Sequence, residues 1–319
     1  MLEILDYAFM QRALLAAMLI GLTAPSVGVY IVQRRLALIG DGMGHVALAG
    51  VAVGILTTGR PVLTALAAAV AGAVAVELVR ARGRTSGDVA LALLFYGGIA
   101  AGVVLISQAP DTTPANLNAY LFGAITTTTS SDLVVFAVLA VAVLTVTIGL
   151  APRLFAVSND EEYARAAGLR VLGLNLLLAV MVASTVVISM RVVGLLLVSA
   201  LMVVPVATSQ LLVGSFRGTL WLSMATGIVV SLGGVTTSYY ADTPSGGTIV
   251  LLAIGLFALA ASVTAARRAV RRGGHDEAED HLHEHGPGCG HEPVPHEDHV
   301  DYLHHGHRHA PHGAHYDEH

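Results

Sequence analysis

The sequence predicts an all-α, polytopic transmembrane helical bundle of eight to ten spans, followed by a disordered cytoplasmic C-terminal tail. Three observations carry this reading. Hydrophobic residues make up 55% of the 319-residue chain and charged residues only 12%, about half the charged share of an ordinary soluble domain. Apolar runs of about 20 residues, enough to cross a hydrocarbon core of about 30 Å, recur along it. Fourteen of the fifteen histidines fall after residue 274, where such runs stop.

Taken in order, the apolar runs place spans at 13–32, 44–59, 61–79, 89–107, 133–150, 171–190, 192–213, 219–239 and 247–266. The second is short. Residues 114–130, with a threonine run from Thr126 to Thr129, read as interfacial or re-entrant, which leaves the count open between eight and ten. Pro205, inside 192–213, frees a backbone carbonyl and marks a kink; broken helices commonly line transporter pathways. The N-terminus lacks a basic stretch and its apolar run is long enough to stay as a span, so no cleavable signal is expected.

All seventeen basic residues are arginine. Of the sixteen that precede the tail, nine spans with the N-terminus outside put thirteen on the cytoplasmic side and leave only Arg12, Arg60 and Arg191 outside. This bias follows the positive-inside rule and places the tail in the cytoplasm. The longest cytoplasmic loop before the tail is 151–170. Ser158 with Glu161 three residues on is a capping-box pattern, and Gly168 can close a helix in the left-handed conformation. A short helix across the cytoplasmic face follows, either a solvated connector or a docking element for a partner.

The membrane domain therefore covers 1–272. Gly273 and Gly274 open a tail, 273–319, rich in His, Asp, Glu, Gly and Pro. Such a segment buries too little apolar surface to offset its ordering entropy. The net charge of −5 comes from this tail and gives no reason to expect nucleic acid. The single cysteine, Cys289, excludes an intrachain disulfide and fits a cytoplasmic location.

The histidines point to chemistry. Imidazole is the commonest metal ligand and suits Zn, Cu, Ni and Fe. In the tail, His281, His283, His285, His291, His304, His305, His307 and His309 form a dense ligand set, expected to bind Zn²⁺. His45 stands apart in the apolar body, four residues after Asp41. On a helix that spacing puts both side chains on one face, where they can meet one ion. Ionisable groups at membrane depth are costly and usually line a pathway. The bland alternative has Asp41 capping a short span and His45 bonding a carbonyl. Two ligands do not close a site, so a symmetric dimer, water or other residues must complete it. Glu77 lies near the cytoplasmic end of its span and can pair with Arg80, while Asp88, Asp132 and Asp242 read as caps or interface residues.

Enzyme signatures are missing. His291-Glu292 leads only to His296 through two prolines, which leaves a helical zinc-protease site unsupported. A chain without lysine cannot form a phosphate-binding P-loop with its lysine, so any ATP hydrolysis belongs to a separate polypeptide.

The chain resembles the membrane permease subunit of zinc/manganese-type ABC importers, the ABC-3 permease family. The resemblance rests on an ordered set of segments: Arg34 to His45, Tyr120 to Gly123, Asp160 to Gly168, Val193 to Pro205 and Pro244 to Val250. It implies a homodimeric or paired permease in the inner membrane, two cytoplasmic ATP-binding subunits and an extracytoplasmic metal-binding protein. It implies that Asp41 and His45 lie in the translocation pathway. It implies that Asp160, Glu161, Glu162, Ala164 and Gly168 belong to the helix that engages the ATPase. The tail has no counterpart in the family pattern. The expected function is import of a divalent metal as substrate, Zn²⁺ first and Mn²⁺ second, with no permanently bound cofactor. The tail's histidines favour Zn²⁺, since Mn²⁺ prefers oxygen ligands. Two other readings stand beside this one. A cation-diffusion-type exporter would need a second intramembrane His/Asp pair, and His45 is the only histidine before the tail. A metal-sensing membrane scaffold would not transport at all.

Overall fold

The computed structural model describes residues 6–82, 87–108, 121, 123, 128–190, 193–195, 198–279, 289–296, 299–304, 307–312 and 315–318. Its helices are α1 (Ala8–Gln33), α2 (Ile39–Leu56), α3 (Pro61–Ala81), α4 (Gly87–Ile106), α5 (Ser130–Gly149), α6 (Ala151–Asn159), α7 (Glu161–Ala166), α8 (Val171–Ser189), α9 (Val198–Leu212), α10 (Phe216–Ala241) and α11 (Ser245–Glu279). Four strands follow: β1 (Glu292–His296), β2 (His299–His304), β3 (His307–His312) and β4 (His315–Glu318). Two compact units divide at Ala261 and Ser262, inside α11 and ahead of the boundary expected at residue 272.

In the first unit α1 is the central helix. Some 72% of its apolar window is buried, against 17% for α4 and for the apolar part of α11, which therefore form the perimeter. Gly21 of α1 faces Gly227 of α10 backbone to backbone, and a Cβ on Gly21 would meet the Gly227 carbonyl at 2.5 Å. Small residues let membrane helices approach this closely, and the gain is van der Waals contact. The Tyr30 hydroxyl donates to the Thr147 carbonyl at 2.6 Å and ties α1 to α5. Asp132 acts as expected, closing a capping box with Thr129 at the start of α5. Asp242 ends α10 in the left-handed region, with φ 51°.

Among the described residues eight helices are long and apolar enough to cross a membrane, the lower end of the expected range. The expected span at 192–213 is not one of them. α8 stops at Ser189, and Val193, Gly194 and Leu195 are buried between helices, Gly194 with φ 87°. α9 has only 15 residues. Ser199, in its first turn, packs on Gly40 at the start of α2, while Phe216, just past α9, meets Tyr30 near the end of α1 at 5.4 Å. The chain thus enters and leaves α9 at the same end of the bundle. Hydropathy cannot see this, because a backbone segment shielded inside the protein is as apolar as one that crosses lipid.

That end of the bundle carries the arginines Arg34, Arg80, Arg165 and Arg170. It also carries α6 and α7, where the sequence predicts one short helix. The break comes at Asp160, whose backbone is extended and whose carboxylate accepts from the backbone N–H of Glu162 and Tyr163, both at 2.9 Å. Asp160 is therefore the N-cap expected of Ser158, which instead sits buried in the last turn of α6. A carboxylate that accepts two orphan N–H groups is as good a cap as a hydroxyl and adds favourable charge at the helix start. Gly168 closes α7 as expected, with φ 80°. Its N–H donates to Arg165, and that of Leu169 donates to Ala164, both at 3.0 Å, the paired bonds of a Schellman ending.

In the second unit α11 runs through Gly273 and Gly274 to Glu279. Composition predicts disorder from residue 273 onward, so the helix covers the first seven residues of that segment. The described segments instead pair as an antiparallel meander in the order β1-β2-β3-β4. Ladder hydrogen bonds account for it more than burial does: in strand β2, Asp301 and Tyr302 are buried, whereas Val300 and Leu303 remain exposed. Pro293 and Pro295 lie in the edge strand β1, where proline is tolerated.

Candidate functional site

Asp41 and His45 both lie inside α2, which begins five residues before the expected start at residue 44. The glycines between them do not interrupt the helix; they admit its neighbours. A Cβ on Gly40 would meet Ser199 Cβ at 3.0 Å, one on Gly42 would meet Leu91 at 3.1 Å, and one on Gly44 would meet the Leu195 carbonyl at 3.1 Å. Three elements thereby converge on one turn of α2.

Asp41 accepts a hydrogen bond from the Ser199 hydroxyl through Oδ1, across a sequence separation of 158 residues. It also lines a cavity of about 360 Å³ with Leu38, Leu91, Ala92, Phe95 and Tyr96. His45 packs edge-on against Phe95, with ring centroids 4.5 Å apart at 80°. Behind it α4 comes very close: a Cβ on Gly98 would meet His45 carbonyl carbon at 2.8 Å and Val46 nitrogen at 2.7 Å. Among the described residues no three His, Cys, Asp or Glu side chains converge into a metal-binding group. One chain thus offers a carboxylate, an imidazole and a neighbouring hydroxyl at this place. Ser199 and Gly98 carry no local signal in the sequence, since each matters only through a partner on another helix. Pro205 lies within α9 and is buried, two turns from Ser199.

The arginine-rich end holds a second arrangement. Arg34 Nη2 pairs with Glu161 Oε1 at 2.6 Å and lies 3.9 Å from Glu77. Arg80 pairs with Glu77 at 2.9 Å, as the spacing predicted, and lies 3.9 Å from Glu161. Asn175 of α8 donates to Glu161 at 3.0 Å. Burial lowers the Arg34 pKa, and neighbouring Arg80 lowers it further, while Glu77 and Glu161 push it back up. Ala164 is buried with Val157 and Val171, which seats α7 on the bundle. Of the proposed coupling residues, then, Glu161 and Ala164 face the bundle, Asp160 and Gly168 define the helix ends, and Glu162 remains in the first turn. Glu77 is a member of this network rather than of the Asp41 site.

In the tail, His291 is half-buried just before β1. His304, His307 and His309 fall within strands, and His304 stands opposite His307 in the β2–β3 register. His281, His283, His285 and His305 lie outside the described residues.

A bundle of membrane-length helices with no nucleotide-binding motif and a capped short helix on one face has the form of a permease, the membrane subunit of an ABC transporter. The chain belongs to the ABC 3 transport family, whose model matches residues 6–264. It is 31% identical over 265 residues to a probable metal transport system membrane protein of Treponema pallidum, covering 83% of this chain and 99% of that one. It is 32% identical over 258 residues to the manganese transport system membrane protein MntC of Halalkalibacterium halodurans, covering 81% and 88% of the two chains. Among solved structures it is similar to PsaBC from Streptococcus pneumoniae in complex with Fab, with TM-score 0.73, 27% identity and coverage of 81% of this chain and 94% of that one. The tail lies beyond the family match.

Proposed function

We propose that this permease imports a divalent first-row metal ion, with Asp41 and His45 as transient ligands in the pathway. The observation that carries the reading is the placement of the only histidine before the tail one turn from a carboxylate, inside a membrane bundle and beside a cavity. Relatives named for metal and manganese transport support it. The ion is Mn²⁺ as readily as Zn²⁺: the expectation of zinc rested on the tail, whereas the bundle offers mainly oxygen donors. A second copy of the permease, presenting the same pair, supplies the ligands one chain lacks. An extracytoplasmic binding protein delivers the ion, and cytoplasmic ATPase subunits engage α7, so that ATP binding shifts the bundle between access states. Ligation in the pathway has to be weak enough for release. The arginine bias supports a cytoplasmic side for α7 and the tail, and membership of the ABC 3 transport family supports the inner-membrane setting.

The test is uptake of Mn²⁺ and Zn²⁺ into liposomes by the permease reconstituted with its ATPase and binding protein. Asp41→Ala and His45→Ala are each expected to abolish uptake while the complex still assembles on size exclusion. Wild-type rates in both variants would refute the site.

A further inference from the structure

Between α8 and α9, Val193, Gly194 and Leu195 are buried inside the bundle, with Leu195 beside Gly44 of α2. Gly194 takes a left-handed backbone, Leu195 rests its carbonyl against Gly44, and Ser199 rests its Cβ against Gly40. Those glycines flank Asp41 by one residue on one side and three on the other. A Cβ at either would press on these residues, which would have to give by a few tenths of an ångström. The sequence Gly40-Asp41-Gly42-Met43-Gly44-His45 thus leaves room for Leu195 and Ser199.

What arrives is a hydroxyl. Ser199 is 9% exposed and its Oγ donates to Asp41 Oδ1, the one hydrogen bond Asp41 makes among the described residues. A serine hydroxyl has one proton and two lone pairs. With the proton committed to the carboxylate, the lone pairs remain for a cation. Two hard oxygen donors then stand side by side, with the His45 imidazole one turn along the same helix. Oxygen-rich donor sets suit Mn²⁺, and nitrogen- or sulfur-rich ones suit Zn²⁺.

We propose that Ser199 is a specificity-determining residue of the metal pathway, its hydroxyl oxygen acting as a third donor beside Asp41 and His45 and biasing the site toward Mn²⁺ over Zn²⁺. This rests on the metal-import reading above. A hydroxyl that merely staples α9 to α2 would affect both metals alike, so the discriminating readout is a ratio.

The experiment compares Ser199→Cys and Ser199→Ala with the unaltered complex, reconstituted with ATPase and binding protein. Initial uptake of Mn²⁺ and Zn²⁺ is measured for each, and referring each ratio to the unaltered complex cancels the preference of the binding protein. Ser199→Cys replaces oxygen by sulfur at nearly the same size and is expected to move the ratio toward Zn²⁺ by about tenfold, the effect of about 1.4 kcal/mol in donor preference. Ser199→Ala is expected to lower Mn²⁺ uptake more than Zn²⁺ uptake. An unchanged ratio in both variants overturns the proposal. A second measurement covers poor transport by the variants. In a Cys289→Ser background, which removes the chain's only native thiol, Cd²⁺ titrated into the purified complex should raise a thiolate-to-Cd²⁺ absorption band for Ser199→Cys that the parent lacks. That band should vanish when Asp41→Ala is added. No such band, or one indifferent to Asp41, also overturns it. If Asp41→Ala and His45→Ala transport normally, the import pathway itself is misplaced. If they fail while the Ser199 ratios stay fixed, only the role of Ser199 falls.

Discussion

Two polar regions of the bundle lie seven residues apart on the chain, at Arg34 and at Asp41, and they are built on opposite principles. Around Arg34 charge meets counter-charge: two carboxylates and two guanidiniums interlock between the end of α1, α3 and α7, with Asn175 as a further donor. Around Asp41 the count runs the other way. The carboxylate has one hydroxyl, the imidazole has an aromatic edge, and a cavity opens beside them. A buried charge fully matched by protein holds elements together, and a group left with spare lone pairs can hold something that passes through. The difference separates a charge-matched joint from a place with donors to spare, which is what the proposed pathway needs, without recourse to residue type, since both regions contain carboxylates at helix ends.

The sharpest way to break the comparison is to unbalance the joint. Arg34→Ala leaves Glu77 and Glu161 to share Arg80, and loss of one partner of a buried pair costs about 3–5 kcal/mol; the open side of Glu161 puts the expected loss at the lower end. The expected outcome is a lower melting temperature in detergent and weaker retention of the ATPase. The exchange Arg34→Glu with Glu161→Arg should recover part of both. A double variant no better than either single one would show that the pair does not act as a unit.

A smaller effect is expected at Gly98. The Cβ of Gly98→Ala would press on the His45 backbone, and overpacking of this kind costs about 1–3 kcal/mol. Because α4 also lines the cavity, uptake should fall further than stability does. Normal uptake with normal melting would mean that α4 has room to move away from α2.

The smallest effect on transport is expected from the tail. Truncation after Gly274 should leave maximal uptake near that of the full chain while removing Zn²⁺ binding measured by calorimetry. In the full chain that binding should weaken below about pH 6, because protonated imidazole cannot ligate and free histidine gains its proton near pH 6.5. A truncated complex that assembles yet carries no metal would bring the tail into the pathway.

Much of this protein is local and therefore legible in its sequence. Span-length apolar runs follow from the cost of polar groups in hydrocarbon. Asp41 and His45 share a helix face because helical spacing puts i and i+4 together. Gly168 ends α7 because glycine takes the left-handed conformation at no steric cost. Even Asp160, taken over from Ser158 as the cap, lay within two residues of the expected position.

Only the tertiary structure decided the rest. That Leu195 lies against Gly44, that Ser199 reaches Asp41, that Gly98 bears on His45 and that Glu161 closes on Arg34 are all contacts between residues far apart on the chain. Hydropathy and periodicity report how a segment relates to its solvent and to its own axis. Which faces then meet depends on the fit of small residues against backbone at helix crossings, and that fit exists only once the helices have packed.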